Sequence, residues 1–213
     1  MREDMKKALK KMKENNIRPF MLNVSIKTDV SIPGWLGISD PDNYINIYHV
    51  EFELYLDNSY ENKETIGEAL CYYISGFDWA NDTFINLLNT ADAHSEDLLT
   101  AISPVVDKNG EVLESYMGCN VMYIHKFYLK HEYRHKGIGT ILFPIIFDTL
   151  GRDVGVITII PAPTENDGNT RIDSSDSRYE SLYNKMCKFI MGYGFFCNEH
   201  DNRVWVKDTT LKD

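Results

Sequence analysis

From residue 128 to 140 the chain reads Tyr-Leu-Lys-His-Glu-Tyr-Arg-His-Lys-Gly-Ile-Gly-Thr. An apolar, strand-like pattern ends here and a helical pattern begins. Between them lie two cations (Arg134 and Lys136), two glycines (Gly137 and Gly139) and the hydroxyl of Thr140. These residue types suit the capture of an anion. The first turn of a helix has unpaired N–H groups and the positive end of the macrodipole. Glycines remove the side chains that would hold a phosphate away from those N–H groups. The chain carries a net charge of −10. A cationic island on that background fits an anionic ligand, although a solvated basic turn before an ordinary helix would contain the same residues.

Two phosphate-binding patterns do not fit. The P-loop needs Lys-Ser/Thr after its last glycine, but Lys136 precedes Gly137. The dinucleotide fingerprint needs a third glycine where Leu142 stands. A third pattern does fit. Arg134-x-x-Gly137-x-Gly139 resembles the pyrophosphate loop of the GNAT acetyltransferases, whose signature is Gln/Arg-x-x-Gly-x-Gly/Ala. The resemblance extends over residues 118–207. Leu129 closes the preceding strand, 154–160 and 178–191 match the next strand and helix, and Gly194-Phe195 leads into the last two strands.

The resemblance implies an α/β domain of mixed α+β kind. Its mostly antiparallel sheet would be splayed at an acetyl-CoA site, with helices on both faces. Acetyl-CoA would be the cosubstrate, with no metal. Main-chain N–H groups of Arg134, His135, Lys136, Gly137, Ile138, Gly139 and Thr140 would hold its pyrophosphate. Phe127 and Leu129 would pair with the pantetheine amides, and the thioester would lie between the strands 118–130 and 154–160. The acyl group would pass directly to an amine through a tetrahedral oxyanion.

Such a reaction needs a base. His125 lies on the strand where the family often places one, and histidine titrates in the right range. Tyr123 is the second candidate. Strict alternation would put 123, 125, 127 and 129 on one face. The family often draws its acid from a tyrosine four residues before the glycine of the Gly-Phe pair, and here that position is Ile190. Tyr183 takes the role if the helix register differs; otherwise solvent protonates the thiolate. Each has a structural alternative: a satisfied strand histidine for His125, a core-packed ring for Tyr183.

The elements that must position these residues follow from periodicity. Met5, Ala8, Leu9 and Met12 give a basic amphipathic helix over 3–15, set apart as an N-terminal segment 1–16 before one domain at 17–213. Its stripe could meet an anionic surface, but it is short and suits packing on its own domain. Strands are expected at 20–26, 44–57 and 66–76, the last two as a hairpin. Val50, Phe52 and Leu54 mark the buried face of the second. Glu51, Glu53 and Glu68 read as the wet side of the sheet or as an acidic acceptor site. Residues 82–103 are helical, with Ser95 as an N-cap. A helix at 139–150 holds Pro144 in its early turns. The almost wholly apolar 154–160 reads as a central strand, and strands at 193–198 and 203–207 close the chain. Glu165, Asp167, Asp173 and Asp176 in the loop 161–177 would form an acidic rim that steers a cationic amine.

Composition bounds the rest. With 32 acidic against 22 basic residues, general nucleic-acid binding is disfavoured. No apolar run is long enough to span a bilayer. Cys71, Cys119, Cys187 and Cys197 have neither zinc-like nor CxxC spacing, and no apolar signal follows the N-terminal lysines. A cytoplasmic protein with reduced thiols is expected. Its partner would be a small-molecule or peptide amine, and exposed edge strands would allow a homodimer. The competing reading is a catalytically weak acyl-CoA-binding or protein-interaction module on the same fold.

Overall fold

In the computed structural model, residues 3–14, 21–29, 45–55, 61–74, 91–92, 94–107, 113–116 and 119–210 are described. Alternating apolar residues make three long antiparallel strands in the first half: β1 (Met21–Asp29), β2 (Ile45–Tyr55) and β3 (Lys63–Ile74). A short helix, α2 (Glu96–Ile102), precedes β4 (Asn120–Leu129), and α1 (Glu3–Glu14) precedes the whole sheet. Then come α3 (Ile138–Leu150), β5 (Val154–Ile159), α4 (Tyr179–Met191), β6 (Phe196–Cys197) and β7 (Trp205–Asp208). The result is an α+β chain with one mixed seven-stranded sheet, ordered β1-β2-β3-β4-β5-β7-β6. Among the described strands only β4 and β5 are parallel neighbours; the other pairs are antiparallel. No helix among the described residues is long and apolar enough to cross a membrane.

The sheet is covered on both faces. One face packs with α1, α3 and α4, through Met12, Phe143, Leu142 and Ile190. The other packs with α2, through Leu98, Ala101 and Ile102. Every residue of β5 is buried, which is why its sequence carries no polar alternation. Ser95 caps α2 by accepting from the N–H of Leu98 at 3.1 Å. Met12 of the α1 stripe is buried in the core. Val50, Phe52 and Leu54 are buried as their alternation predicts. Of the helical stretch expected at 82–103, residues 81–90 and 93 lie outside the described residues, as does the hairpin turn at 56–60.

Three expectations need correction. The closing strands are shorter than 193–198 and 203–207, because tight turns around Gly194 (φ 83°) and Asp201 consume part of each range. Glu53 is not on a wet side. It is 4% exposed and accepts from Lys63 at 2.5 Å and Asn23 at 2.9 Å. Those donors hold its carboxyl below the usual carboxylate range, the Lys63 bond most of all. Pro144 lies well inside α3, where its missing N–H leaves the Thr140 carbonyl without its partner four residues on. The hydroxyl of Tyr193 donates to that carbonyl at 3.1 Å instead.

Candidate functional site

The candidate site begins with an irregularity in β4. Against β3, Lys126 pairs with Leu70 and Ile124 with Cys71, so His125 is an extra residue without an opposite number. It is a β-bulge. A bulge adds one residue to a period of two and turns every later side chain over. Before it, Met122 and Ile124 join the α3 face and Tyr123 the α2 face. After it, Phe127 and Leu129 join the α3 face. His125 rings with Tyr72 and Tyr123 on the α2 face. The expected single face of 123, 125, 127 and 129 is therefore split in two.

Just past the bulge the sheet opens. Pairing of β4 with β5 runs from Asn120/Val154 to Ile124/Ile159 and stops, while β4 continues to Leu129. The N–H of Lys130 donates to Ile66 O at 2.9 Å, which fixes the phase of the β3 ladder. By that alternation the main-chain groups of Phe127 and Leu129 turn away from β3, toward the gap. No described strand pairs with them there. The Leu129 carbonyl accepts instead from Arg134 Nε at 2.7 Å.

The loop follows at once. His131–Tyr133 form a 3₁₀ turn, His135 adopts φ 61° and Gly137 φ 87°. Gly137 is the N-cap of α3 and supplies no side-chain hydrogen bond, so the first-turn N–H groups, beginning at Ile138, are uncapped by it. A left-handed N-cap of this kind favours glycine. At Gly139 a Cβ would sit 3.5 Å from Leu129 and 3.8 Å from Phe127 and Phe189. The glycine thus faces the apolar side chains that close β4 on the α3 face. Arg134 lies 5.1 Å over the Tyr128 ring and Lys136 6.0 Å over the Tyr133 ring. The cradle residues therefore come together: Phe127 and Leu129 on the strand edge, Arg134 to Thr140 around the helix start. The amides of an extended chain could pair with the edge, and a pyrophosphate suits the uncapped turn.

The other face carries the titratable groups. His125 Nδ1 lies 3.3 Å from the Tyr123 hydroxyl oxygen. Burial lowers the His125 pKa, Asp97 opposes this, and Arg171 and Lys126 add to the lowering. The imidazole is thus neutral at pH 7. Tyr123 is fully buried, stacks at 6.0 Å on Tyr72, and burial pushes its hydroxyl pKa up. Asp97, in the first turn of α2, forms a fork with Arg171 of the loop after β5.

Tyr183 makes its hydrogen bond elsewhere. Its hydroxyl donates to Asn202 O at 3.4 Å, on the wall of a cleft of about 660 Å³ that Asp97, Arg171, Tyr179 and Trp205 also line. Ile190, where the resemblance would place a tyrosine, is a buried core residue. Phe189, beside it, is the α4 side chain that reaches Gly139. Nor is the 161–177 loop an open acidic rim. Glu165 and Asp176 hold Arg178, Asp167 accepts from Asn169 and Thr170, and Asp173 from Ser175. These carboxylates order the loop locally.

The sequence reading missed Asp97, Tyr72, His94 and Phe189 as neighbours of the site. His94 packs on Tyr72, 5.2 Å between rings, and Tyr72 on His125 at 5.6 Å. Only Arg171 left a signal, as the one cation among the loop acids. No family model matches this chain, and no curated protein matches it.

Proposed function

We propose that the chain is an acetyl-CoA-dependent N-acetyltransferase of GNAT type that transfers the acetyl group directly to a primary amine. One observation carries this reading. The ladder between parallel β4 and β5 ends at Ile124/Ile159, and the free edge of β4 runs straight into a glycine loop and an uncapped helix. A slot between parting strands beside a helix N-terminus suits an extended amide chain that ends in a pyrophosphate. A mixed, mostly antiparallel sheet with helices on both faces is also in keeping with the resemblance.

In this reading the Phe127 and Leu129 main chain orients the pantetheine, and the 134–140 loop holds the pyrophosphate. The bound thioester supplies an activated acyl carbon. His125 takes the proton from the acceptor ammonium. For that, Nδ1–H must donate to Tyr123, leaving Nε2 free as the base. Tyr123 is then a positioning residue. No α4 hydroxyl meets the sulfur at the family's position, so solvent protonates the departing thiolate.

The test is calorimetric titration with acetyl-CoA, beside the Gly139→Glu variant. A carboxylate in the first turn of a helix is electrostatically favourable, so the variant should fold. Its negative charge would repel a pyrophosphate held at the same turn. Micromolar binding by the parent that is lost in a folded variant supports the reading; no binding by the parent removes it. A second reading, a non-catalytic acyl-CoA-binding module, draws on Ile190, which offers no acid. Release of free thiol in the presence of amines separates the two.

A further inference from the structure

The cleft of about 660 Å³ lies past the carboxyl end of β5, where β4 and β5 part. Its walls are Glu96, Asp97 and Thr100 of α2, Ile160 to Ala162, Tyr179 and Tyr183 of α4, and Trp205 of β7. Its volume is in the range of small-molecule sites. Asp97 of α2 lines the cleft, and α2 packs on the face of β4 that carries Tyr123, whose ring meets His125 at 5.6 Å. The cleft and the base thus lie on one face of the sheet.

Its charges are unevenly matched. Arg171 is held by Asp97, and Arg203 by Asp201 through Nε and Nη2. Glu96 is exposed in the first turn of α2 and makes no ion pair among the described residues. Its field reaches Arg203 without a contact. The charge left over is thus a carboxylate, which an ammonium group complements. The apolar walls are flat. Tyr179 and Tyr183 stack 5.8 Å apart at 10°. The Trp205 indole N–H is buried beside the Tyr183 hydroxyl, whose pKa it lowers against the larger, raising effect of burial. Aromatic faces attract both planar rings and cations.

We propose that this cleft holds the acceptor, and that the acceptor is a primary amine bearing an aromatic ring and no carboxylate. This rests on the acetyltransferase reading. The ammonium loses a proton to His125, its nitrogen bonds to the acyl carbon, and the C–S bond breaks. The nitrogen gives its second proton to solvent as the amide forms, and the sulfur leaves as thiolate and takes a proton from solvent. Glu96 and the tyrosine pair act before this, by selecting and seating the amine.

The experiment measures thiol release from acetyl-CoA with phenethylamine, n-butylamine or phenylalanine as acceptor. Phenethylamine should exceed butylamine in kcat/KM by about ten-fold, the worth of a seated ring. Phenylalanine, with its added carboxylate, should fall below both. Tyr179→Ala should raise the phenethylamine KM by about ten-fold and leave the acetyl-CoA KM within two-fold. Glu96→Gln should raise it by about three-fold, as expected for an exposed charge. Butylamine or phenylalanine used as well as phenethylamine would overturn the proposal while leaving the acetyltransferase reading intact. Should acetyl-CoA itself fail to bind, that reading falls, and titration of the protein alone with phenethylammonium decides the cleft. Binding weakened by both variants keeps it, and no binding overturns it.

Discussion

His125 Nδ1 and the Tyr123 hydroxyl oxygen lie 3.3 Å apart, two residues along the same strand on the α2 face. The bond orients an imidazole that the bulge has already turned out of the β3 ladder. Exchanging His125 for Ala should lower kcat by about 10²- to 10⁴-fold if it is the general base. Acetyl-CoA affinity should hold, because the cradle is on the other face. Tyr123→Phe should cost less in kcat, since it removes only the group that selects the tautomer. Steady-state kinetics with separate KM values for both substrates checks this.

The pH profile follows from burial. A base acts when deprotonated, and burial places the His125 pKa below its ordinary value near 6.5. The acid limb of kcat/KM should therefore fall below that value and be flat for this group above it. Asp97 holds the limb up, so Asp97→Asn should move it still lower. A limb above 6.5 would assign the base elsewhere.

The two loop glycines should behave differently. Gly139 has room for a methyl group, at 3.5 Å or more from its neighbours, so Gly139→Ala should fold and bind acetyl-CoA. Gly137 holds φ 87°, and Gly137→Ala should cost about 1–2 kcal/mol of stability. Thermal unfolding of the pair, with titration of acetyl-CoA, distinguishes them.

Tyr193→Phe strips the hydroxyl that serves the Thr140 carbonyl in place of the Pro144 N–H. The loss should be about 1 kcal/mol. Because Thr140 lies in the first turn of α3, the variant should also weaken acetyl-CoA binding. Denaturant melts and calorimetry report the two effects independently.

Glu53 and Lys63 govern an acid-sensitive part of the stability. Lys63→Ala leaves a buried carboxylate with Asn23 and Ser25 alone, at a cost of about 1–2 kcal/mol. The Glu53 pKa is lowered in the folded chain, so its contribution is present above the unfolded carboxylate pKa. It is lost as pH falls through the folded value. The variant should show a shallower loss of stability below pH ~5.

Much of this was legible before any coordinates. β5 announces itself because a strand covered on both sides can spare no polar position. The Arg134 to Thr140 stretch is visible because left-handed turns and helix starts recruit glycine. Other features left no mark. Nothing about Ile124, His125 or Lys126 says that one of them is surplus, since a bulge of this kind needs no glycine or proline. Glu53 reads as a surface acid because its partners come from β1 and the start of β3, far off in sequence. Asp97 and Arg171 meet only because the sheet brings α2 beside the loop after β5. Such pairings belong to topology, and residue types do not encode them singly.

The surplus residue in β4 is also one that the ladder could do without. Lys126 already faces Leu70 and Ile124 faces Cys71, which are neighbours in β3. Deleting His125 would close the pairing into strict alternation and leave Phe127 and Leu129 on the α3 face, where they already lie. The imidazole would go and the cradle would stay. The base is thus an insertion carried by the strand, separable from the frame that holds the cradle.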